Sequence, residues 1–402
     1  MYGYKLHDYV PEPDPVHSDY TVCCHYYPGW KRVPNAIHNG FHDLHDYPER
    51  TPLLGYYDES SPEVFDWQIK WAVEHGINCF VHCWYRLREN EGLPVTQKDV
   101  RYGHSIHEAF MHARYKRYMK FALMWECDWG KASDRDDLLH NLLPFWVENY
   151  FSDETYLQID QKPVLFIYGV KKLIDRLGGI EAMREALAAL REEIKRYGFS
   201  GIHVSAIHSA PDIHERHRHW YSLDDHKHMG FDSSFQYNWG IRTQEDITPR
   251  QYEQYLRDGC MLDPEIVLDF IEKQIARRIE YDPDYTILTA ASMLDSKPWF
   301  KIFDLDPKGP YAQFRLSPYE WKRELEMLKR MIDPLDKSNL SRRVIMLDNW
   351  NEWSEGHYLA PTLGTGFRYL QAVRDVLTHR DNLPDYRIPE TLELGPYDAV
   401  WR

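Results

Sequence analysis

Apolar and polar positions along this chain follow two alternating rhythms. Short, nearly continuous apolar runs recur at residues 21–27, 77–84, 120–125, 163–168, 201–207, 231–237, 284–292 and 343–349. Runs of that length mark strands buried on both faces. The stretches between them carry apolar residues at helical spacing. They predict helices at 62–75, near 105–118, near 136–150, and at 179–196, 249–278, 318–331 and 366–378. The first shows the pattern: Val64, Trp67, Ile69, Trp71 and Ala72 form the apolar stripe, Ser61 is placed to cap, and Pro62 takes the first helical position.

Strands that alternate with helices predict an α/β fold with a parallel sheet. Eight such units predict one (β/α)₈ barrel with long βα loops, spanning residues 1–402. An open, doubly wound sheet is the alternative that the same alternation allows. Residues 1–20 read as an N-terminal extension, and the Pro-rich residues 380–402 as a tail packing on the barrel. Residues 32–54, rich in His, Asp and Pro, read as a long first loop that helps wall a cleft.

Barrels of this kind keep their chemistry at the C-terminal ends of the strands. There the sequence places His25, Tyr27 and Trp30, then His82, Trp84 and Tyr85, then Trp125 and Glu126. His208, Tyr237 and Trp239 follow, then Asp295 and Trp299, and finally Asn349, Trp350, Asn351 and Trp353. The predicted N-terminal loops are poorer in such residues. The asymmetry predicts a cleft at the barrel mouth.

Composition suggests what the cleft holds. Aromatics make up 15% of the chain, with 14 Trp and 29 Tyr. Flat rings with a polar handle suit the apolar faces and polar edges of sugars, although large cores use the same residues. The net charge of −15, with no basic block, excludes a phosphate-neutralising nucleic-acid surface. No apolar stretch of about 18 residues exists to span a membrane. The N-terminus lacks the pattern of a secretory leader, so a cytoplasmic location is expected, or a periplasmic one if a leader was removed. The six cysteines form no CxxC pair and read as small, reduced hydrophobes. Neither a Gly-rich phosphate loop nor a Gly-x-Ser-x-Gly elbow occurs, and no cofactor is expected. His203, His208, His214, His217, His219, His226 and His228 crowd one region. The spacing of His214, His217 and His219 suits a metal, but Arg216, Arg218 and Lys227 stand among them, and no metal is expected.

The strongest chemical signal follows the last strand. Glu352 and Glu355 stand three residues apart, interleaved with Trp350 and Trp353 and followed by Gly356. Glycoside hydrolysis needs one carboxyl that donates a proton and one that stays ionised. Proximity and desolvation separate their pKa values. Acidic residues at a helix start also serve as caps or dipole partners, and that reading stands beside the catalytic one. Glu126 is a second acidic candidate and could act as base in place of Glu352.

The run from Asn349 through Glu352 and Glu355 to Pro361, followed by Gly366 to Leu370, resembles the signature of glycoside hydrolase family 99-like, or WbsX-like, proteins. Tyr26 to Trp30, Gly55 to Asp58, Gly76 to Tyr85 and Phe231 to Trp239 match in order, so the resemblance covers most of the chain. It implies a (β/α)₈ fold and action on α-linked glycans, with mannosides the best-known substrates. It implies Glu352 as general base and Glu355 as general acid/base. The base would deprotonate the substrate's own 2-hydroxyl, giving a 1,2-anhydro sugar that water opens with net retention. Expected substrate-binding residues are Tyr27, Trp30, His82, Trp84, Tyr85, Trp125, Glu126, Tyr237, Trp239, Asn349, Trp350, Asn351, Trp353 and Tyr358. The expected partner is an oligosaccharide or polysaccharide. The alternatives are a glycosyltransferase of polysaccharide assembly and a non-catalytic glycan-binding protein.

Overall fold

The structure, a computed structural model, describes residues 9–34, 36–210, 212–214, 221–392, 394 and 397. Its centre is a ring of parallel strands: β1 (Thr21–Tyr26), β2 (Cys79–Arg86), β3 (Lys120–Glu126), β4 (Lys162–Tyr168), β5 (His203–Ile207), β6 (Ser233–Phe235), β7 (Leu288–Ala290) and β8 (Val344–Asn349). Each pairs with its neighbour in chain order, except β6 with β7, and β1 pairs with β8. A parallel bridge between Ser234 and Thr286 joins β6 to the chain entering β7 and closes the ring. The fold is a (β/α)₈ barrel. The strands are buried along nearly their whole length, as apolar runs covered on both faces must be.

The outer layer includes helices α1 (Pro62–Glu74), α2 (Ile180–Glu193), α3 (Pro249–Arg257), α4 (Pro264–Tyr281), α5 (Pro318–Ile332) and α6 (Arg368–Leu377). Helix α1 has Pro62 in its first turn, but Ser61 makes no side-chain cap. Its charged residues Asp66, Lys70 and Glu74 are buried because both ends of the chain lie across them. Tyr9 donates to Asp66, and the Asp14 and Asp385 amides donate to Glu74 at 3.1 and 3.0 Å. The Trp71 indole donates to the Arg387 carbonyl at 3.3 Å.

The helix expected over 249–278 is two helices, because Gly259 turns the chain at φ +69° and Pro264 begins the second. The segment near 105–118 is a series of short irregular helical turns. The seventh strand is shorter than expected, Leu288–Ala290. No helix among the described residues is long and apolar enough to cross a membrane.

Candidate active site

Alternation along each strand sorts the expected site residues. On β2, Cys83 and Tyr85 line a cavity at the barrel mouth, as do Met124 and Glu126 on β3. Their neighbours point the other way. His82 lies among Phe65, Phe80, Phe110 and Phe121, and burial lowers its pKa to about 3, so it is a neutral core histidine. Trp84 donates its indole N–H to the Tyr150 hydroxyl at 3.1 Å, and Trp125 donates to the Lys131 carbonyl at 3.1 Å. Both pack on Trp146. The expectation that His82, Trp84 and Trp125 touch substrate is therefore corrected: strand phase aims them at the helical layer.

Further members of the expected set support the site from behind. Trp30 meets Trp353 edge to face at 4.9 Å and donates to the Asn351 carbonyl at 2.8 Å. Trp350 packs on Phe80, and Trp239 lies under the Arg278 guanidinium. The Asn351 amide grips the Tyr27 backbone at both N–H and carbonyl, at 2.8 and 2.7 Å. Tyr358 is buried in the hairpin Asn351–Glu352/His357–Tyr358. Asn349 is also buried, and accepts from the Tyr237 hydroxyl at 3.0 Å.

The mouth holds two adjoining chambers. The narrow inner one is walled by Tyr27, Tyr85, Glu126, Trp129, Tyr168, Tyr237, Trp299, Glu352 and Glu355. The outer one, about 550 Å³, shares Tyr168, Tyr237, Trp299 and Glu355 with it and extends past Asn238 and Tyr311. Trp129 and Trp299 approach edge to face at 6.0 Å from opposite sides of the mouth. Tyr168, Trp129 and Trp299 are absent from the expected binding set. The C-terminal end of β4 and the spacing past β7 were the signals that place them.

Three carboxyls thus face the inner chamber. Glu352 is 3% exposed and accepts from the Ser354 hydroxyl at 2.6 Å. Burial first, then the charge of Glu355, pushes its pKa well above the usual carboxylate range. Glu355 keeps 26% of its side chain exposed. Burial raises it too, while His357 and His38 oppose the rise. Glu126 is raised to about 7 by burial and by Asp128, against three backbone N–H donors, Asp128, Trp129 and Gly130, at 3.0, 2.5 and 3.1 Å. Like carboxyls sharing a low-dielectric site titrate as a set, the first proton leaving easily and the next held tightly.

The turn carrying Glu355 is fixed from several loops. The Asp295 amide donates to the Glu355 carbonyl at 2.9 Å. Arg50 donates to the Trp353 carbonyl at 2.7 Å and pairs with Asp295 at 3.0 Å, as Arg315 does at 2.8 Å. Gly356 sits at φ +73°, and a Cβ there would lie 2.7 Å from the Asp295 backbone. Only glycine satisfies both conditions.

His357 follows directly, fully buried, with Nδ1 2.6 Å from the Asp348 carboxylate and Nε2 4.0 Å from Glu355. Burial works against its charge, but Asp348 and then Glu355 raise its pKa overall. Neither residue of this Asp–His pair stood in the expected site. The link joins the end of β8 to the hairpin, a contact that spacing alone does not show.

Among the described residues, metal-like spacing occurs at His17, Asp19 and His379, which are exposed and flank the barrel's N-terminal side. The two imidazoles stack at 4.7 Å with 12° between their planes, and one ligand atom of each of the three residues lies within 4.8 Å of the others. His217 and His219 lie outside the described residues.

The chain folds as a (β/α)₈ barrel with carboxyls gathered at its mouth. It superposes on the GH99 endo-α-mannosidase of Bacteroides thetaiotaomicron with a TM-score of 0.57 at 14% identity, covering 88% of this chain and 96% of that one. A second structure, described as a glycoside hydrolase-like protein, gives 0.61 at 14% identity over 93% and 98% of the two chains. The model of the family described as glycosyltransferase WbsX matches residues 24–373, and the chain belongs to that family. The uncharacterized protein WxcX of Xanthomonas campestris pv. campestris is 23% identical over 388 residues, which is 92% of this chain and 49% of WxcX. The chain spans about half the length of the curated relatives it matches.

Proposed function

We propose that the chain is a retaining glycoside hydrolase acting on α-linked glycans, with mannosides the first substrates to try. The observation that carries this is the convergence of Glu352 and Glu355, both with raised pKa, on one aromatic-walled chamber. A carboxyl that holds its proton near neutral pH is what acid catalysis at a glycosidic oxygen requires.

In the proposed reaction Glu352 removes the proton of the substrate 2-hydroxyl. That oxygen bonds to the anomeric carbon as the bond to the leaving oxygen breaks, and the leaving oxygen takes the Glu355 proton. Water then opens the 1,2-anhydro sugar from the opposite face. Glu355 takes the water's proton and Glu352 returns its own to the 2-oxygen. The products are two hydroxyl-terminated sugars with net retention, and both glutamates regain their starting states. Both glutamates are raised, Glu352 by burial and then by the charge of Glu355, Glu355 by burial against His357 and His38.

The test is hydrolysis of α-mannan fragments by wild type and Glu355→Gln, with the product's anomeric form followed by NMR. Turnover should fall by about 10²–10⁴-fold with the melting temperature unchanged. Near wild-type turnover would sink the assignment. The family's description favours a second reading, glycosyl transfer. Calorimetric binding of a nucleotide sugar, with no hydrolysis of any glycan, would establish that reading instead.

A further inference from the structure

The Asp348–His357 pair is more ordered than the proposed reaction by itself requires. Asp348 is fully buried, and every oxygen lone pair that faces protein is used. One oxygen accepts from the Ser292 amide and hydroxyl, each at 2.8 Å, and from the Met293 amide at 3.2 Å. The other accepts from the Asn349 amide at 2.8 Å and from His357 Nδ1 at 2.6 Å. These contacts fix the Asp348 carboxyl group and, through it, the His357 ring, with Nδ1 turned toward the carboxyl oxygen. The remaining nitrogen, Nε2, then points to the cleft side, 3.4 Å from the Asn238 amide and 4.0 Å from the Glu355 carboxyl.

Glu355 exchanges its proton twice in the reaction proposed above, so its anion must be tolerated in a chamber that already holds Glu352 and Glu126. Charged or titratable groups facing it are Glu352, Asp348, His38, His357, Tyr168 and Tyr237. His38 Nδ1 lies 2.9 Å from the Gly40 amide and 3.5 Å from the Asp43 carboxylate. His357 itself faces Asp348, Glu355, His25 and the Tyr237 ring. Of the two imidazoles, His357 is the one placed within 4.0 Å of the Glu355 carboxylate.

We propose that His357, aligned by Asp348, is a positioning residue that supplies the positive charge for the ionised form of Glu355. It touches no reacting atom. It acts by setting how the pair of glutamates shares its proton, and it rests on the reading that Glu355 is the acid/base. Asp348 orients it, and Ser292 at the end of β7 orients Asp348. The chemistry at the end of β8 is thereby tied to the neighbouring strand.

Two measurements test this. First, the His357 imidazole signal, assigned by its loss in His357→Gln, is titrated by NMR in the substrate-free protein. Wild type should titrate above the usual histidine range, and both Asp348→Asn and Glu355→Gln should move it downward. An unchanged titration in Glu355→Gln would overturn the proposal, because the two groups would not sense each other. Second, the pH profile of kcat/KM on an α-mannoside is compared for wild type and His357→Gln. Loss of a cation beside the pair should move the whole bell to higher pH by about one unit. A lower plateau with an unshifted bell means a packing role only and overturns the proposal. Should His357→Gln fail to fold, Asp348→Asn carries both arms. The NMR arm needs no substrate, so it can fail while hydrolysis stands, and hydrolysis can fail while it stands.

Discussion

Two groups of buried carboxyls lie on opposite faces of β2 and its neighbours. Behind β2, Asp137 meets Arg86: Nη2 donates at 3.0 Å to one carboxylate oxygen, and Nη1 donates to the other. Burial works to raise the Asp137 pKa, but Arg86, Asn141 and Ser133 bring it below the ordinary value. In front of β2, Glu126, Glu352 and Glu355 line one cavity, and all three are raised: burial acts first on each, with Asp128 adding to it for Glu126 and Glu355 adding to it for Glu352. Burial is common to both groups, so burial does not separate a scaffold from a site. The partner does: a fixed cation makes a carboxyl a permanent anion, whereas another carboxyl leaves a proton that can move.

The sharpest way to break the comparison is to strand the charge in the scaffold. Asp137→Ala leaves Arg86 buried without its anion, and unfolding in urea should show a loss of about 3–5 kcal/mol. A loss below about 1 kcal/mol would mean the ion pair is not a structural anchor.

The second prediction concerns pH. Glu126 has a folded pKa of about 7, above its ordinary value of 4.5. The folded state therefore binds its proton more tightly than the unfolded chain does. Stability from this group is fully present below about pH 4.5 and declines as pH rises to about 7. The total is up to about 3 kcal/mol. Glu126→Gln should flatten that part of the stability curve in urea titrations. A wild-type slope retained in the variant would place the effect on another group. By contrast, the lowered Asp137 contributes stability above its unfolded pKa that is lost as pH falls through the folded value.

The third substitution, Gly356→Ala, combines positive φ with contact against Asp295. It should cost about 1–3 kcal/mol and lower turnover more than it raises KM, because the turn that carries Glu355 moves. Crystals showing an unmoved turn would refute the anchoring. Smallest in effect, Trp299→Ala should raise KM severalfold, about 1 kcal/mol, with kcat little changed, by removing one wall shared by the two chambers. An unchanged KM would remove Trp299 from the glycan's path.

Much of this was legible in the sequence, unevenly. Apolar runs at 21–27, 77–84 and 343–349 became strands within a few residues of the expected bounds, because a strand buried on both faces leaves an unmistakable trace. The same trace hid the phase. When both faces are apolar and aromatic, nothing in Cys79–Arg86 says that Tyr85 faces the cavity and Trp84 a helix. Strand-end position alone therefore admitted His82, Trp84 and Trp125 to the site, while Tyr168, which ends β4 in the same way, was passed over. The Glu352 and Glu355 pair was visible because both lie in one short turn. The Asp348–His357 contact depends on how that turn folds back on its own strand, which spacing does not record. Gly259 and Pro264 did carry their signal, a helix break inside 249–278.

The turn bearing Glu355 is held by Arg50 from the first loop, Asp295 from the seventh and Arg315 from the segment beyond it. This restricts how the mouth can be reshaped. Loop grafts that discard Arg50 or Asp295 would loosen Glu355 along with the wall being redesigned. Among the described residues, the Trp129 and Tyr311 side chains on the rim make no such bond to the turn, and substitution there can alter what enters the chamber with less effect on what happens inside it. Under the proposed function, directed evolution toward new glycans should therefore accumulate its first changes on that rim.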